Sequence, residues 1–351
     1  MKHAWLVCVG VVLLVVCGGC GSSKIVTSGT VPPSSFSVGL TNPQSLVKSG
    51  KIDDHKVLMS PDGVKIDSFA IAHDTDGPAK GTVVLLHGEG QSKLDYIDLA
   101  GRLAKRGYDS VLVDLRMHGW SGGEYITCGA KEKIDVQAAV NAYIADGTVT
   151  AEPIIAFGTT FGGATAIQYA AIEPRVKGLM VMAPWASTET KARRDLGALA
   201  TPDRIHAELE KAGELAGFDP YATAAVKDAA TLTCPIYIVH GTLDMVVPVA
   251  ESEAIYLAVP HKQKRLQIIM PGTPEYFALI DFDTWRADRI VEVADGTFTP
   301  GRSSAGVEQE DEDVPAPQPN IPPPASDEDD LKPVKSPASL PDEEAGADDA
   351  G

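Results

Sequence analysis

The sequence predicts an α/β protein built on a mostly parallel sheet of eight strands, with helices on both faces and a short lid. Two observations predict it. Between residues 54 and 298, short apolar runs alternate with amphipathic stretches, and runs without polar interruption mark strands buried on both faces. A span of about 240 residues also suits eight strands in a single domain.

Taken in order, His55–Met59 and Val64–Ala72 flank the turn Ser60-Pro61-Asp62-Gly63 and read as an antiparallel pair. Buried-strand runs follow at Thr82–Leu86, Ser110–Val113, Ile154–Phe157, Gly178–Met182, Ile236–Val239 and Arg265–Ile269. Helical segments lie between them at Tyr96–Arg106, Lys131–Ala145, Gly163–Ala171 and Ala250–Ala258. Residues 185–233 form the lid, with amphipathic stretches at Lys191–Leu199 and Pro202–Ala216. Its brevity predicts an open cleft lined by Trp120, Phe161, Trp185 and Met245.

The ends differ from this middle. Ala4–Val16 is an apolar run behind Lys2, too short to span a membrane and suited to a secretion signal over residues 1–20. The run ends Val16-Cys17-Gly18-Gly19-Cys20-Gly21, similar to a bacterial lipobox with Cys20 as the acylated residue, although Cys17 stands where an aliphatic is usual. The expected location is therefore the cell envelope, with the chain exported and held to a membrane by its lipid. Residues 21–53 are rich in Ser, Thr, Gly and Pro and are expected to be a flexible tether. The segment 299–351 is acidic and Pro-rich and is expected to be disordered, as a solubilising extension or a docking tail. Of the five cysteines, Cys128 and Cys234 fall in the middle on opposite sheet edges, so both are expected to be free, packed thiols.

The chain of 351 residues carries 30 Lys+Arg against 48 Asp+Glu, a net charge of −18. The residues from Pro300 onward hold 14 Asp+Glu against Arg302, Lys332 and Lys335, so −11 of that charge belongs to the tail. Neither portion has the basic surface that nucleic-acid binding requires.

Chemistry in such a sheet collects at the carboxyl ends of the strands. There the sequence reads Leu86-His87-Gly88-Glu89-Gly90, Asp114-Leu115-Arg116-Met117-His118-Gly119-Trp120-Ser121-Gly122, Gly158-Thr159-Thr160-Phe161-Gly162 and His240-Gly241-Thr242-Leu243-Asp244. In this order the four motifs resemble the α/β-hydrolase superfamily, nearest its serine-aminopeptidase-like and esterase-like branch, over residues 55–294. The resemblance implies a nucleophile elbow at Gly158–Gly162, with Thr160 where the family carries serine. It implies an oxyanion hole from the amides of Phe161 and Glu89, and Asp244 as the triad acid. The Glu89 side chain is expected to point into solvent.

Two departures weaken the triad. A β-branched residue is strained in the elbow conformation, at a cost of about 1–3 kcal/mol. The family's histidine, expected after the last strand in Met270-Pro271-Gly272-Thr273-Pro274-Glu275-Tyr276-Phe277, is replaced by Glu275 or Tyr276, depending on the anchor from which one counts. His261 sits in a helix-to-strand turn at the opposite edge and cannot substitute. His87, His118 and His240 match structural positions and lack metal-ligand spacing, so neither metal nor cofactor is expected. The resulting expectation is a degenerate hydrolase that binds a small acyl or peptide ligand, or a partner, in the cleft. The alternative is an active esterase or peptidase with Thr160 as nucleophile and Glu275, or a residue the sequence does not mark, as base.

Overall fold

The computed structural model describes residues 42–270, 282–304 and 307–309. Residues 1–41 with Cys20, residues 271–281 with Glu275 and Tyr276, and the acidic residues from 310 onward lie outside the described residues.

Among the described residues, ten strands form one sheet in the order β1-β2-β4-β3-β5-β6-β7-β8-β9-β10. β1 (Asp54–Met59) and β2 (Lys65–Ile71) are the expected antiparallel pair, and β2 runs antiparallel to β4 (Asp109–Val113). From β4 the sheet continues in parallel through β3 (Thr82–Leu86), β5 (Ile154–Thr159), β6 (Val176–Met182), β7 (Ile236–Gly241), β8 (Lys264–Ile269) and β9 (Gly301–Ser304). The short strand β10 (Val307–Gln309) closes the edge in antiparallel fashion.

The central strands are apolar on both faces because both faces are covered. α2 (Ile97–Ala104) and α9 (Phe282–Ala294) pack one face, where Leu99, Leu103, Trp285 and Ile290 meet Val83, Leu85, Ile155 and Phe157. The other face carries α3 (Glu132–Ala145), α4 (Phe161–Ile172), α7 (Ala225–Ala229) and α8 (Val249–Ala258), with Val136, Ile167 and Ile255 in one core with Val84, Ala156 and Ile238. The order of strands reverses around β3, which lies between β4 and β5, and this reversal opens the crevice at their carboxyl ends.

Two expectations at the domain margins are corrected. The presumed tether contains α1 (Pro43–Lys48), whose start is fixed by Asn42 accepting from the Gln44 amide at 2.9 Å and by Pro43 at the first helical position. Leu46 and Ile52 then join the core beside Phe69, so the domain begins before residue 54. At the other end, β9 and β10 extend the sheet from eight strands to ten, inside a segment expected to be unstructured. Gly301-Arg302-Ser303-Ser304 has no apolar pattern to read. What orders it is the open edge of β8, with Arg265 Nη1 donating to the Thr299 carbonyl at 2.8 Å and Arg302 pairing with Glu253 at 2.6 Å.

Cys128 and Cys234 are free and buried, and burial pushes their thiols up to about 12 and about 11. Both are packing residues without nucleophilic character near neutral pH.

Candidate active site

β5 ends in the turn that opens α4, and Thr160 stands at that turn with φ +47° and ψ −108°. This is the left-handed strain expected of the elbow, held here by a β-branched residue. The Thr160 amide donates to the Met182 carbonyl at 2.8 Å, which ties the turn to β6. The glycines on either side permit the close approach: a Cβ at Gly158 would stand 2.2 Å from the Gly162 carbonyl oxygen, and one at Gly162 would stand 2.2 Å from that of Leu86.

The loop after β3 faces the elbow. An ideal Cβ on Gly88 would lie 2.7 Å from Thr160 Oγ1, so the hydroxyl packs against this loop. The Gly88 amide is taken by Gln91 Oε1 at 2.9 Å. Phe161 is the first residue of α4, and its amide is among those at a helix start that have no intrahelical acceptor. Glu89 and Thr160 line the same cleft, of about 660 Å³, together with Gln91, Tyr96, Trp185 and Asp244.

The Glu89 carboxylate does not simply face solvent, as expected. Its Oε1 lies 3.3 Å from Nζ of Lys191, a fully buried lysine on α5 (Thr188–Leu196) of the lid. Lys191 also pairs with Asp195 and sits 4.9 Å above the Trp185 ring. The lid thus places a cation against the acidic side chain beside the elbow.

Asp244 reaches the cleft from the loop after β7, but its carboxylate is engaged locally. Oδ1 accepts from the amides of Val246 at 2.7 Å and Val247 at 2.8 Å, and Oδ2 is 3.8 Å from His240 Nε2. His240 is itself satisfied by Ser252 Oγ at 2.7 Å and the Val247 carbonyl at 2.8 Å. His87 is equally occupied: Nδ1 is 2.8 Å from the Gly88 carbonyl, and Nε2 accepts from the Leu115 amide at 3.0 Å. Burial first, and then the neighbouring His118, hold it down at about 3, so His87 is neutral. His118 packs 5.6 Å from the Phe161 ring, beneath the elbow, with Nδ1 3.0 Å from the Arg116 carbonyl. His261 falls between α8 and β8, at the amino end of that strand. Among the described residues nothing hydrogen-bonds the Thr160 hydroxyl.

Thr160, Glu89 and Asp244 therefore converge on one cleft, Phe161 lies immediately beneath it, and Glu275 and Tyr276 lie outside the described residues. Of the expected lining residues, Trp185 takes its place. Phe161 is fully buried and stacks on Trp185 at 5.3 Å, so it supports the wall instead of forming it. Trp120 lines a separate pocket with His55 and Asp67, and Met245 is 94% exposed. The sequence reading missed Lys191, Tyr96, Phe282 and Arg286, the last three of which line the cleft. Tyr96 hydrogen-bonds Thr159 Oγ1 at 2.8 Å, and burial pushes its phenol up to about 12, so it is not a base near neutral pH.

Residues 77–214 match the family described as serine aminopeptidase, S33. An uncharacterized Escherichia coli (strain K12) protein, YfhR, is 24% identical over 216 residues, covering 60% of this chain and 69% of that protein. Among solved structures, the Pyrococcus furiosus esterase Pf2001 superimposes with a TM-score of 0.54 at 23% identity, over 76% of this chain and 97% of that one. A 2,6-dihydroxy-pseudo-oxynicotine hydrolase gives 0.53 at 18% identity, over 70% of each chain.

Proposed function

We propose that this chain, a member of the α/β-hydrolase superfamily, is a catalytically degenerate protein that holds a small acyl or peptide ligand, or a partner, in the former active-site cleft. The observation that carries the reading is Thr160 itself. Its β-branched side chain occupies the strained elbow position, and no histidine or other base bonds its hydroxyl among the described residues. Without a working triad, oxyanion stabilisation and binding leave roughly 10³- to 10⁴-fold over the uncatalysed rate, whereas enzymes commonly supply about 10⁶-fold or more. Purified protein is expected to turn over p-nitrophenyl butyrate within that residual range, and Thr160→Ala to leave the rate unchanged. Rapid turnover abolished by Thr160→Ala would refute the reading.

One observation favours the second reading, an active esterase or peptidase: the elbow backbone and the glycines that shape it are intact around Thr160. That reading requires a fluorophosphonate probe to label Thr160, and no labelling between pH 5 and 9 removes it.

The chain is also proposed to be exported and lipid-anchored through Cys20, on the strength of the apolar run and the Gly19-Cys20-Gly21 junction. Cys20→Ala is expected to move the chain from the membrane fraction to the soluble one. Unchanged fractionation would exclude Cys20 as the anchor.

A further inference from the structure

We propose that the cleft selects ligands bearing a free carboxylate, with Arg286 as the charge partner, an inference that rests on the reading of the cleft as an acyl-ligand site. Arg286 stands on α9 and lines the cleft together with Thr160, Tyr96 and Phe282. Its guanidinium carbon Cζ lies 3.9 Å from the Phe282 ring centroid and 5.4 Å from that of Tyr96. Aromatic faces hold a guanidinium by its flat surface and leave its edge donors for planar hydrogen bonding. Among the described residues the guanidinium makes one ion pair, Nη2 to Asp283 Oδ1 at 3.2 Å, and Nε is buried there with no hydrogen-bond partner. The side chain is only 12% exposed, so solvent satisfies little of the remainder. Five donors held in a rigid fork and incompletely used, in a cleft wall, suit a carboxylate in bidentate contact.

The other charges of the cleft are already committed. Glu89 faces Lys191 at 3.3 Å, and the Asp244 carboxylate accepts from the amides of Val246 and Val247. Among the described residues the ion pair of Arg286 is with Asp283, on its own helix. Tyr96, Trp185, Phe282 and Val246 supply apolar wall for the hydrocarbon part of a ligand. The class that fits is an amphipathic carboxylic acid, the form in which an acyl group exists once its ester or amide bond has been cut. Binding of this kind asks nothing of Thr160 as a nucleophile, in keeping with a cleft that has lost its base.

The test uses the purified full chain, with titration calorimetry and Trp185 fluorescence, and compares octanoate with 1-octanol. Octanoate is expected to bind about tenfold or more tightly than octanol, a preference that corresponds to roughly 1.4 kcal/mol. Arg286→Gln is expected to abolish that preference while leaving octanol affinity unchanged, and Arg286→Lys to keep part of it. Near-UV circular dichroism checks that each variant is folded, and the wild-type comparison stands even if the variants are not. Equal binding of octanoate and octanol, or unchanged octanoate affinity in folded Arg286→Gln, would overturn the carboxylate assignment and leave the acyl-ligand reading in place. Absence of binding by both compounds would overturn the two together.

Discussion

Replacing Gly162 with alanine is expected to destabilise the domain by about 4 kcal/mol or more, well above the usual cost of overpacking a core. The added Cβ would stand 2.2 Å from the Leu86 carbonyl oxygen and 2.5 Å from that of His87. Both obstacles are backbone, so no rotamer change relieves them, and the helix would have to move off the sheet. α4 runs antiparallel to its own strand across the centre of the core, and Gly158 faces the Gly162 carbonyl from the other side at 2.2 Å for an ideal Cβ. The two glycines therefore set one helix-to-strand distance. Urea unfolding of Gly162→Ala measures the loss, and a loss below about 1 kcal/mol would mean that the elbow has room the structure does not show. Because the same packing holds Thr160 at φ +47°, the variant is also expected to lose ligand binding in the cleft.

The features legible in the sequence are those that lie in contiguous segments. Thr82–Leu86 and Ile154–Phe157 are apolar without interruption, and Gly158 and Gly162 bracket the elbow at fixed spacing, so both the central sheet and its functional end could be placed. The edge strand β9 could not, because Gly301-Arg302-Ser303-Ser304 is ordered by its neighbour and carries no hydrophobic period. Nor could α1, whose six residues are too few to show one. The charged residues were harder still. Lys191 opens an amphipathic stretch in the sequence, yet it is buried against Glu89, 102 positions away. Arg286 carries no mark of a site in the sequence, yet it lines a cleft whose other residues lie as far away in the chain as Glu89 and Thr160. In each case the partner is distant in the chain, and a single sequence carries no trace of the pairing. Trp120 was misplaced for a related reason: the loop after β4 turns back so that its amide caps Asp114 at 2.8 Å, which carries the indole away from the elbow.

Lys93→Ala is expected to cost about 3–5 kcal/mol at pH 7, because it strands the Asp114 carboxylate, which the fold has removed from water, and takes one partner from Asp67, which keeps His55 Nε2 at 3.0 Å. Lys93 is completely buried, and its ammonium pairs with Asp114, itself 1% exposed, and with Asp67 at 2.9 Å, 3% exposed. The same nitrogen sits 4.5 Å from the Phe69 ring centroid and 4.4 Å from that of Trp120, so the surroundings on those sides are aromatic. Asp114 also accepts from the amides of Lys93 and Trp120, which joins the turn after β3 to the loop after β4 through a single carboxylate. Truncation removes the cation and leaves those acceptors in a medium that screens poorly. Lys93→Met, which keeps the apolar stem and removes only the charge, is expected to lose nearly as much. Pairing it with Asp114→Asn should recover part of the loss, because the stranded charge is then removed as well. Chemical unfolding of the three variants makes the comparison, and a loss under about 1 kcal/mol in Lys93→Ala would show that the aspartates need no internal cation. Since Tyr96 follows Lys93 in the same turn and lines the cleft, the destabilised variants are also expected to bind cleft ligands more weakly, although their substitutions lie behind the wall and touch no ligand.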